Sequence, residues 1–168
     1  MNVIETKIDG LFIIEPRIFE DSRGYFFESF SQKEFDEKIG HVCFVQDNES
    51  KSTYGVMRGL HFQKPPYTQS KLVRCVRGAV LDVAVELTEQ NHRQVFIPKG
   101  FAHGFAVLSP EAVFQYKCDE FYHPESEGGI SILDDSLDID WHIPREKAIL
   151  SPKDTNHPLL KYFETPFI

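Results

Sequence analysis

The chain has three cysteines, Cys43, Cys75 and Cys118, and no two of them form a C-x-x-C pair. An odd count at wide spacing argues against a disulfide framework or a thiolate zinc site and suits reduced thiols in a cytosol. No run of 18 apolar residues occurs, and Met1–Gly10 lacks the apolar core of a signal peptide, so a soluble cytoplasmic protein without membrane attachment is expected. Basic charge is scarce: 18 Lys and Arg face 26 Asp and Glu, for a formal net charge of −8 and a pI near 5.3. That balance argues against broad nucleic-acid binding. Among the seven histidines, His41, His61, His92, His103, His123, His142 and His157, no two are spaced by two or by four residues. The H-x-H pair of metal-binding β-barrels and the helical zinc pair are therefore both missing. A metal assembled from distant residues would leave no such mark, and the expectation is that no metal is used. At 168 residues with no composition shift, the chain is expected to form one domain, residues 1–168, with a substantial core.

One absence is local. Between Ser50 and Leu81 there is no acidic residue, while six basic ones occur: Lys51, Arg58, Lys64, Lys71, Arg74 and Arg77. Such an island suits a compact anion such as a phosphate or nucleotide, and His61 places a titratable imidazole beside it. A solvated basic face is the usual alternative, so residue order has to decide.

Short apolar stretches rich in Val, Ile and Phe, separated by Gly, Pro, Asn and Asp, predict strands. They are Phe12–Ile14, Tyr25–Ser29, Val42–Asp47, Lys71–Val76, Ala79–Leu87, Gln94–Ile97, Phe105–Leu108, Ala112–Lys117 and Ile130–Ile132. Many short strands at close spacing indicate an all-β sandwich or barrel. One helix is predicted. Ser31 and Glu34 form a capping-box pattern, Phe35 and Ile39 lie one turn apart, and Gly40 ends it. A helical turn is expected after Pro144, and the tail from Ser151, with three prolines, reads as a loop laid across the body.

Histidine, with a reference pKa of about 6.5, can accept a proton near neutral pH. Alternation along the predicted strand puts Lys71, Val73, Cys75 and Arg77 on one face and Arg74 on the other. The same arithmetic separates Arg58 from His61 unless Gly59 makes a bulge, which glycine permits. Tyr116 shares a strand face with Phe114, which by itself reads as a core tyrosine. Tyr122 reads as a packed ring near a loop and Asp154 as a turn residue.

The ordered motifs then resemble a known family. Asp21-Ser22-Arg23-Gly24-Tyr25-Phe26-Phe27-Glu28-Ser29, Phe44-Val45-Gln46-Asp47-Asn48, Arg58-Gly59-Leu60-His61-Phe62-Gln63, Lys71-Leu72-Val73-Arg74-Cys75 and Ile97-Pro98-Lys99-Gly100-Phe101-Ala102-His103-Gly104-Phe105 are similar to dTDP-4-dehydrorhamnose 3,5-epimerases, in register over nearly the whole chain. The resemblance implies an all-β, cupin-type jelly roll with a few short peripheral helices, usually a homodimer, working without metal or organic cofactor on a dTDP-4-keto-6-deoxyhexose. It implies His61 as base, Asp154 as the carboxylate orienting it, Tyr116 as acid and Lys71 beside the C4 oxygen. Arg23 and Arg58 resemble diphosphate contacts and Tyr122 the ring that stacks on thymine. Glu28, Gln46, Asp47, Asn48, His103, Glu127 and Lys153 also fall on ligand positions. The roles of Tyr116, Tyr122 and Asp154 thus rest on resemblance, against what each residue suggests alone.

Two stretches depart from the family pattern. After Gly78-Ala79-Val80-Leu81-Asp82-Val83-Ala84-Val85 the chain is about 15 residues short: either a β-hairpin has been lost, exposing a new sheet edge, or a segment is missing from this sequence. Gly129 to Asp135 replaces a Trp-Asn-Asp run, with an effect expected on packing beside Tyr122. The leading reading is inversion at both C3 and C5. The alternatives are an epimerase acting at C3 or C5 alone, a metal-dependent cupin, and a non-catalytic nucleotide-sugar binder.

Overall fold

The computed structural model describes residues 1–83 and 85–167. In chain order the strands among the described residues are β1 (Asn2–Glu5), β2 (Phe12–Glu15), β3 (Phe19–Asp21), β4 (Gly24–Phe26), β5 (Gln46–Thr53), β6 (Met57–Gln63) and β7 (Lys71–Arg77). They continue as β8 (Ala79–Asp82), β9 (Val85–Thr88), β10 (Gln94–Ile97), β11 (His103–Val107), β12 (Glu111–Cys118) and β13 (Glu127–Gly129), with the single α-helix α1 at Gln32–Lys38. One sheet runs β1-β2-β10-β7-β12-β5 and a second runs β13-β6-β11-β8-β9, while β3 and β4 form a separate hairpin. Every strand pair is antiparallel. This is the jelly-roll class expected from the sequence.

The core lies between the sheets. Val73, Val95, Ile97 and Phe114 from the first meet Val80, Leu87, Phe105 and Val107 from the second. Both sheets are also covered outside. Helix α1 lays Phe35 on Ile14, Leu72 and Phe96 of the first. Residues 130–167 lay Ile130, Ile132 and Trp141 on Met57, Leu60 and Phe62 of the second. Double coverage explains why β10 and β11 are buried at every position. Strand β5, at an edge, alternates instead, with polar residues facing out.

The helix forms as its capping pattern predicts: Ser31 Oγ accepts from the Glu34 N–H at 3.4 Å. The Glu34 carboxylate, however, reaches the N-terminal ammonium of Met1 at 2.7 Å rather than the Ser31 backbone. Gly40, at φ +135°, lets the chain leave. The turn after Pro144 is a 3-10 helix, Arg145–Lys147.

Several boundaries differ from the sequence reading. Val42 and Phe44 pack against the α1 cluster, so a strand begins only at Gln46. Ala79–Leu87 is a hairpin, because Asp82 pairs with Val85 across a two-residue connection in which Val83 sits at φ +29°. That left-handed angle is strained for a β-branched residue. Tyr25–Ser29 is strand only to Phe26, and the strand near residue 130 is Glu127–Gly129 rather than Ile130–Ile132, whose side chains go to the core. Strands β1, β3 and β6 escape the sequence reading: none shows clean alternation, β6 because its two faces are both largely covered.

β6 carries the bulge that Gly59 permits. Arg58 pairs with Phe105 and His61 with His103, so Gly59 and Leu60 stand opposite Gly104 alone. The backbones are too close for a side chain there: a Cβ on Gly59 would lie 2.6 Å from Gly104 Cα, and Gly59 holds φ +127°. Gly59→Ala is therefore expected to lower stability by about 2–4 kcal/mol, from left-handed strain and overpacking combined. Urea unfolding measures it, and an unchanged midpoint would show that the bulge does not need glycine.

Candidate active site

A cavity of about 420 Å³ opens between the inner faces of the two sheets. From the first sheet it receives Gln46 and Asn48 of β5, Lys71 of β7, and Phe114, Tyr116 and Cys118 of β12. From the second come Arg58 and His61 of β6 and His103 of β11. Strict alternation accounts for the first wall, and the bulge at Gly59 brings Arg58 and His61 to one side of the second. The six basic residues of the island disperse. Lys51 and Arg77 pair with Glu111 at 2.6 and 3.4 Å, and Arg74 turns to Gln115 on the outer face. Arg58 and Lys71 are the two that reach this cavity, joined there by Lys153 from the tail.

His61 bonds through Nε2 to Asp154 Oδ1. The bond spans 93 residues, because the tail folds over β6 and winds Asp154–Asn156 into a 3-10 turn. Asp154 is 3 % exposed. Its N–H is held by Ser151 Oγ at 3.1 Å, which fixes the carboxylate. Nδ1 of His61 has no protein partner among the described residues. Burial pushes the His61 pKa below its usual 6.5, against the opposing pull of the Asp154 hydrogen bond and charge.

Lys71 is held among Tyr116, Cys118 and the cavity wall, its Nζ 6.0 Å from the Tyr116 ring centre. Burial lowers its pKa, against the opposing pull of the Asp82 and Glu127 carboxylates. Burial likewise raises the Tyr116 hydroxyl, keeping it protonated. His103 pairs with Asp82 at 2.7 Å, both buried, and stands beside His61 in the β6–β11 register. At the mouth, Glu127 accepts from Lys153 at 2.5 Å and from the Tyr122 hydroxyl at 2.8 Å. Burial alone would raise the Glu127 pKa, but those two bonds bring it below the usual value. Tyr122 leaves 52 % of its surface exposed at the rim. Ile130 and Ile132 of the altered 129–135 run go into the core beneath β6.

Three residues expected at the site are elsewhere in this chain. Asp47 points to the outer face, where Lys117 donates to it at 2.9 Å, because Gln46 and Asn48 take the inner positions of β5. Glu28 lines a separate cavity with Pro16, Phe35 and Gln94. Arg23 is on the β3–β4 hairpin, paired with Asp21 and 88 % exposed. Three further residues escape sequence reasoning. Asp82 gives no signal beyond a polar residue in an apolar strand. Gln63 bonds the Tyr67 and Phe121 carbonyls and the His123 N–H, framing the rim loop. His157 lies behind Asp154, and the three-residue spacing is its one hint.

The family model for dTDP-4-dehydrorhamnose 3,5-epimerase matches residues 5–162. The dTDP-4-dehydrorhamnose 3,5-epimerase of Escherichia coli is 52 % identical over 171 aligned positions, covering 92 % of this chain and 91 % of that protein. Since 92 % of 168 residues is about 155, roughly 16 of those positions have no residue here, a deficit of the size expected from the short β8–β9 connection. A crystal structure of the Legionella pneumophila dTDP-6-deoxy-D-glucose-3,5-epimerase, in complex with dTDP-4-keto-L-rhamnose, superposes with a TM-score of 0.92 at 48 % identity, covering 97 % of this chain and 94 % of that one. The dTDP-4-dehydrorhamnose 3,5-epimerase of Elizabethkingia anophelis gives 0.88 at 48 % identity, covering 96 % and 97 %.

The two influences on His61 can be separated. Burial depresses its pKa and Asp154 raises it, so Asp154→Asn is expected to move the imidazole titration, followed by NMR, further below 6.5. An upward move would refute this balance.

Proposed function

The chain belongs to the dTDP-4-dehydrorhamnose 3,5-epimerase family, and from that premise we propose how its cleft does the work. The enzyme is an isomerase that inverts C3 and C5 of dTDP-4-dehydro-6-deoxy-D-glucose to give dTDP-4-dehydro-L-rhamnose. The C4 ketone acidifies the hydrogens on both neighbouring carbons. His61, neutral at physiological pH, takes one as a proton, and the C–H electrons move onto the C4 oxygen to form an enolate. The Lys71 ammonium faces that oxygen, with His103 beside it, and stabilises the charge as it develops. Tyr116 returns a proton to the opposite face of the same carbon, and proton exchange with water resets both groups. A second cycle treats the other carbon.

The observation that carries this reading is the placement of base and acid on opposite sheets. His61 lies on β6, Tyr116 on β12, and the cavity between them exposes both faces of a flat enolate. Asp154 holds the imidazole orientation and favours the imidazolium, an arrangement in which a positioned acid or base is typically worth ~10²–10⁴ in rate. The rim supports a nucleotide reading: Tyr122 offers an exposed ring for the thymine, and Arg58, tethered to Ser52 at 3.1 Å, offers a guanidinium for the diphosphate. Gln46 and Asn48 bond each other at 2.9 Å, and Gln46 also accepts the Tyr122 N–H at 3.1 Å, bracing that ring.

Residues 1–168 are taken as one working domain, and the molecule as a homodimer in the cytoplasm. Among the described residues no helix is long and apolar enough to cross a membrane, and the cysteines are unpaired. The dimer is supported by the β3–β4 hairpin, which leaves Phe19, Tyr25 and Phe26 50–66 % exposed around Arg23. Exposed aromatic clusters of this kind mark contact surfaces. A dimer would let Arg23 and Glu28 serve the second copy's cleft, in keeping with their lying outside their own.

Incubation of the keto sugar nucleotide with enzyme in D₂O, followed by proton NMR, is expected to erase both the C3 and C5 signals. Loss of one alone would make the enzyme a single-site epimerase. His61→Ala should abolish both exchanges while nucleotide affinity changes only a few-fold, and comparable turnover would remove His61 from the mechanism. Tyr116→Phe should slow product formation more than exchange; equal losses would argue against its role as acid. Because the base acts unprotonated and burial lowers its pKa, the acid limb of kcat/KM is expected below pH 6.5. Light scattering should give the mass of two chains, and a monomer would refute the dimer.

A further inference from the structure

His157 stands against the catalytic pair, yet no step of the epimerisation uses it. Its Nε2 is buried and has no hydrogen-bond partner among the described residues. Gly129 leaves room for the ring: a Cβ at that position would lie 2.5 Å from the same nitrogen. The nitrogen is 3.6 Å from Asp154 Oδ1, beyond hydrogen-bond range, and that oxygen is the one that binds His61 Nε2. The two imidazoles meet edge-on, with ring centres 5.5 Å apart and planes 69° apart. One carboxylate oxygen is thus flanked by two imidazoles, and the three ligand atoms lie within 4.8 Å of one another.

The arrangement is built by the tail. Asp154 and His157 are three residues apart across a 3-10 turn, in which residues i and i+3 eclipse. Thr155 and Asn156 both donate to the Pro152 carbonyl at 2.8 Å, fixing the turn between them. His61 joins from β6. Two imidazoles and one carboxylate form a donor set for Zn²⁺, Co²⁺ and similar ions, not for Mg²⁺ or Ca²⁺, which take oxygen ligands.

We propose that His61 Nε2, Asp154 Oδ1 and His157 Nε2 form a binding site for a divalent transition-metal ion, with Zn²⁺ the favoured occupant, and that occupancy switches the epimerase off. With metal–ligand bonds of about 2.0–2.2 Å, tetrahedral ligands lie roughly 3.3 Å apart. The His157–Asp154 separation of 3.6 Å is already near that value, and the His61–Asp154 pair has to open to admit the ion. The ion then occupies the place of the proton that His61 and Asp154 share, and it consumes the carboxylate charge that positions the base. The switching half of the proposal rests on the reading of His61 and Asp154 as the proton-transfer pair; the binding half does not.

The test uses untagged, metal-free full-length protein. Titration with Co²⁺ is expected to give the intense visible absorption of a four- or five-coordinate ion, reversed by Zn²⁺, with one Zn²⁺ per chain by calorimetry. Proton NMR of the wild-type Co²⁺ form, which needs no variant, should show two histidine rings with paramagnetic shifts. His157→Gln, checked for folding by circular dichroism, should weaken Zn²⁺ binding roughly tenfold or more, since even an outer-shell loss costs ~10–100-fold. The Zn²⁺ concentration that halves each protein's own proton-exchange rate should rise equally. Absent Co²⁺ absorption, or equal Zn²⁺ affinity in His157→Gln, would overturn the site. Undiminished turnover with metal demonstrably bound would overturn the switch and the proton-transfer reading behind it, while leaving the site itself intact.

Discussion

The close approach of β6 to β11 at Gly59 and Gly104 is the constraint on which the cleft depends. Two residues on one strand face one on the other, and the added twist brings Arg58 and His61 to the same side. Without it, regular alternation would hold only one of them in the cavity. The same register puts His103 beside His61, so a single backbone irregularity sets three basic groups on one wall. That wall faces Lys71 and Tyr116 on a strictly alternating one. A regular wall and an irregular wall thus face each other across the cleft, which in the proposed mechanism lets groups act on both faces of a planar intermediate.

Charge in this cleft is handled by burial balanced against partners. Desolvation lowers the pKa of His61 and of Lys71 and raises that of Tyr116. In the proposed mechanism the shift at His61 favours a neutral base and the shift at Tyr116 holds the acid protonated, while Lys71 has to keep its charge against its own shift. Asp154 opposes the first shift and orients the ring, and Asp82 does comparable structural work for His103. Cys75 and Cys118, pushed up to about 11 by burial, remain thiols. Polar groups this deep persist because nearly all are bonded, and among the described residues His157 Nε2 stands out as the exception.

The β8–β9 connection is two residues long. Strand β9 is left at the edge of its sheet, yet Leu87 remains fully buried in the central core. The cost is concentrated at Val83, held in a left-handed conformation that its branched side chain disfavours. Its neighbour Asp82 nevertheless keeps the bond to His103, because β8 is fixed on its other side by β11. β6, β7, β11 and β12, which carry most of the residues lining the cleft, are each paired on both sides, and the short connection lies outside them.

By itself the sequence determined the fold class, the helix with its Ser31 cap, and the faces of β7 and β12, since these follow from local spacing and alternation. It also carried, through its ordered motifs, the family, and with it the proposal that His61, Tyr116, Lys71 and Asp154 act together. It could not place them. Only the tertiary structure turned the Gly59 bulge into a shared face for Arg58 and His61, sent Asp47 outward, and left Arg23 and Glu28 outside the cleft. Asp154 reads as an ordinary turn residue until the tail crosses β6, and His157 is one histidine among seven until that crossing buries it beside Asp154. Contacts between residues far apart in the chain are fixed by how the sheets and the tail pack, and no local pattern of side chains encodes that distance.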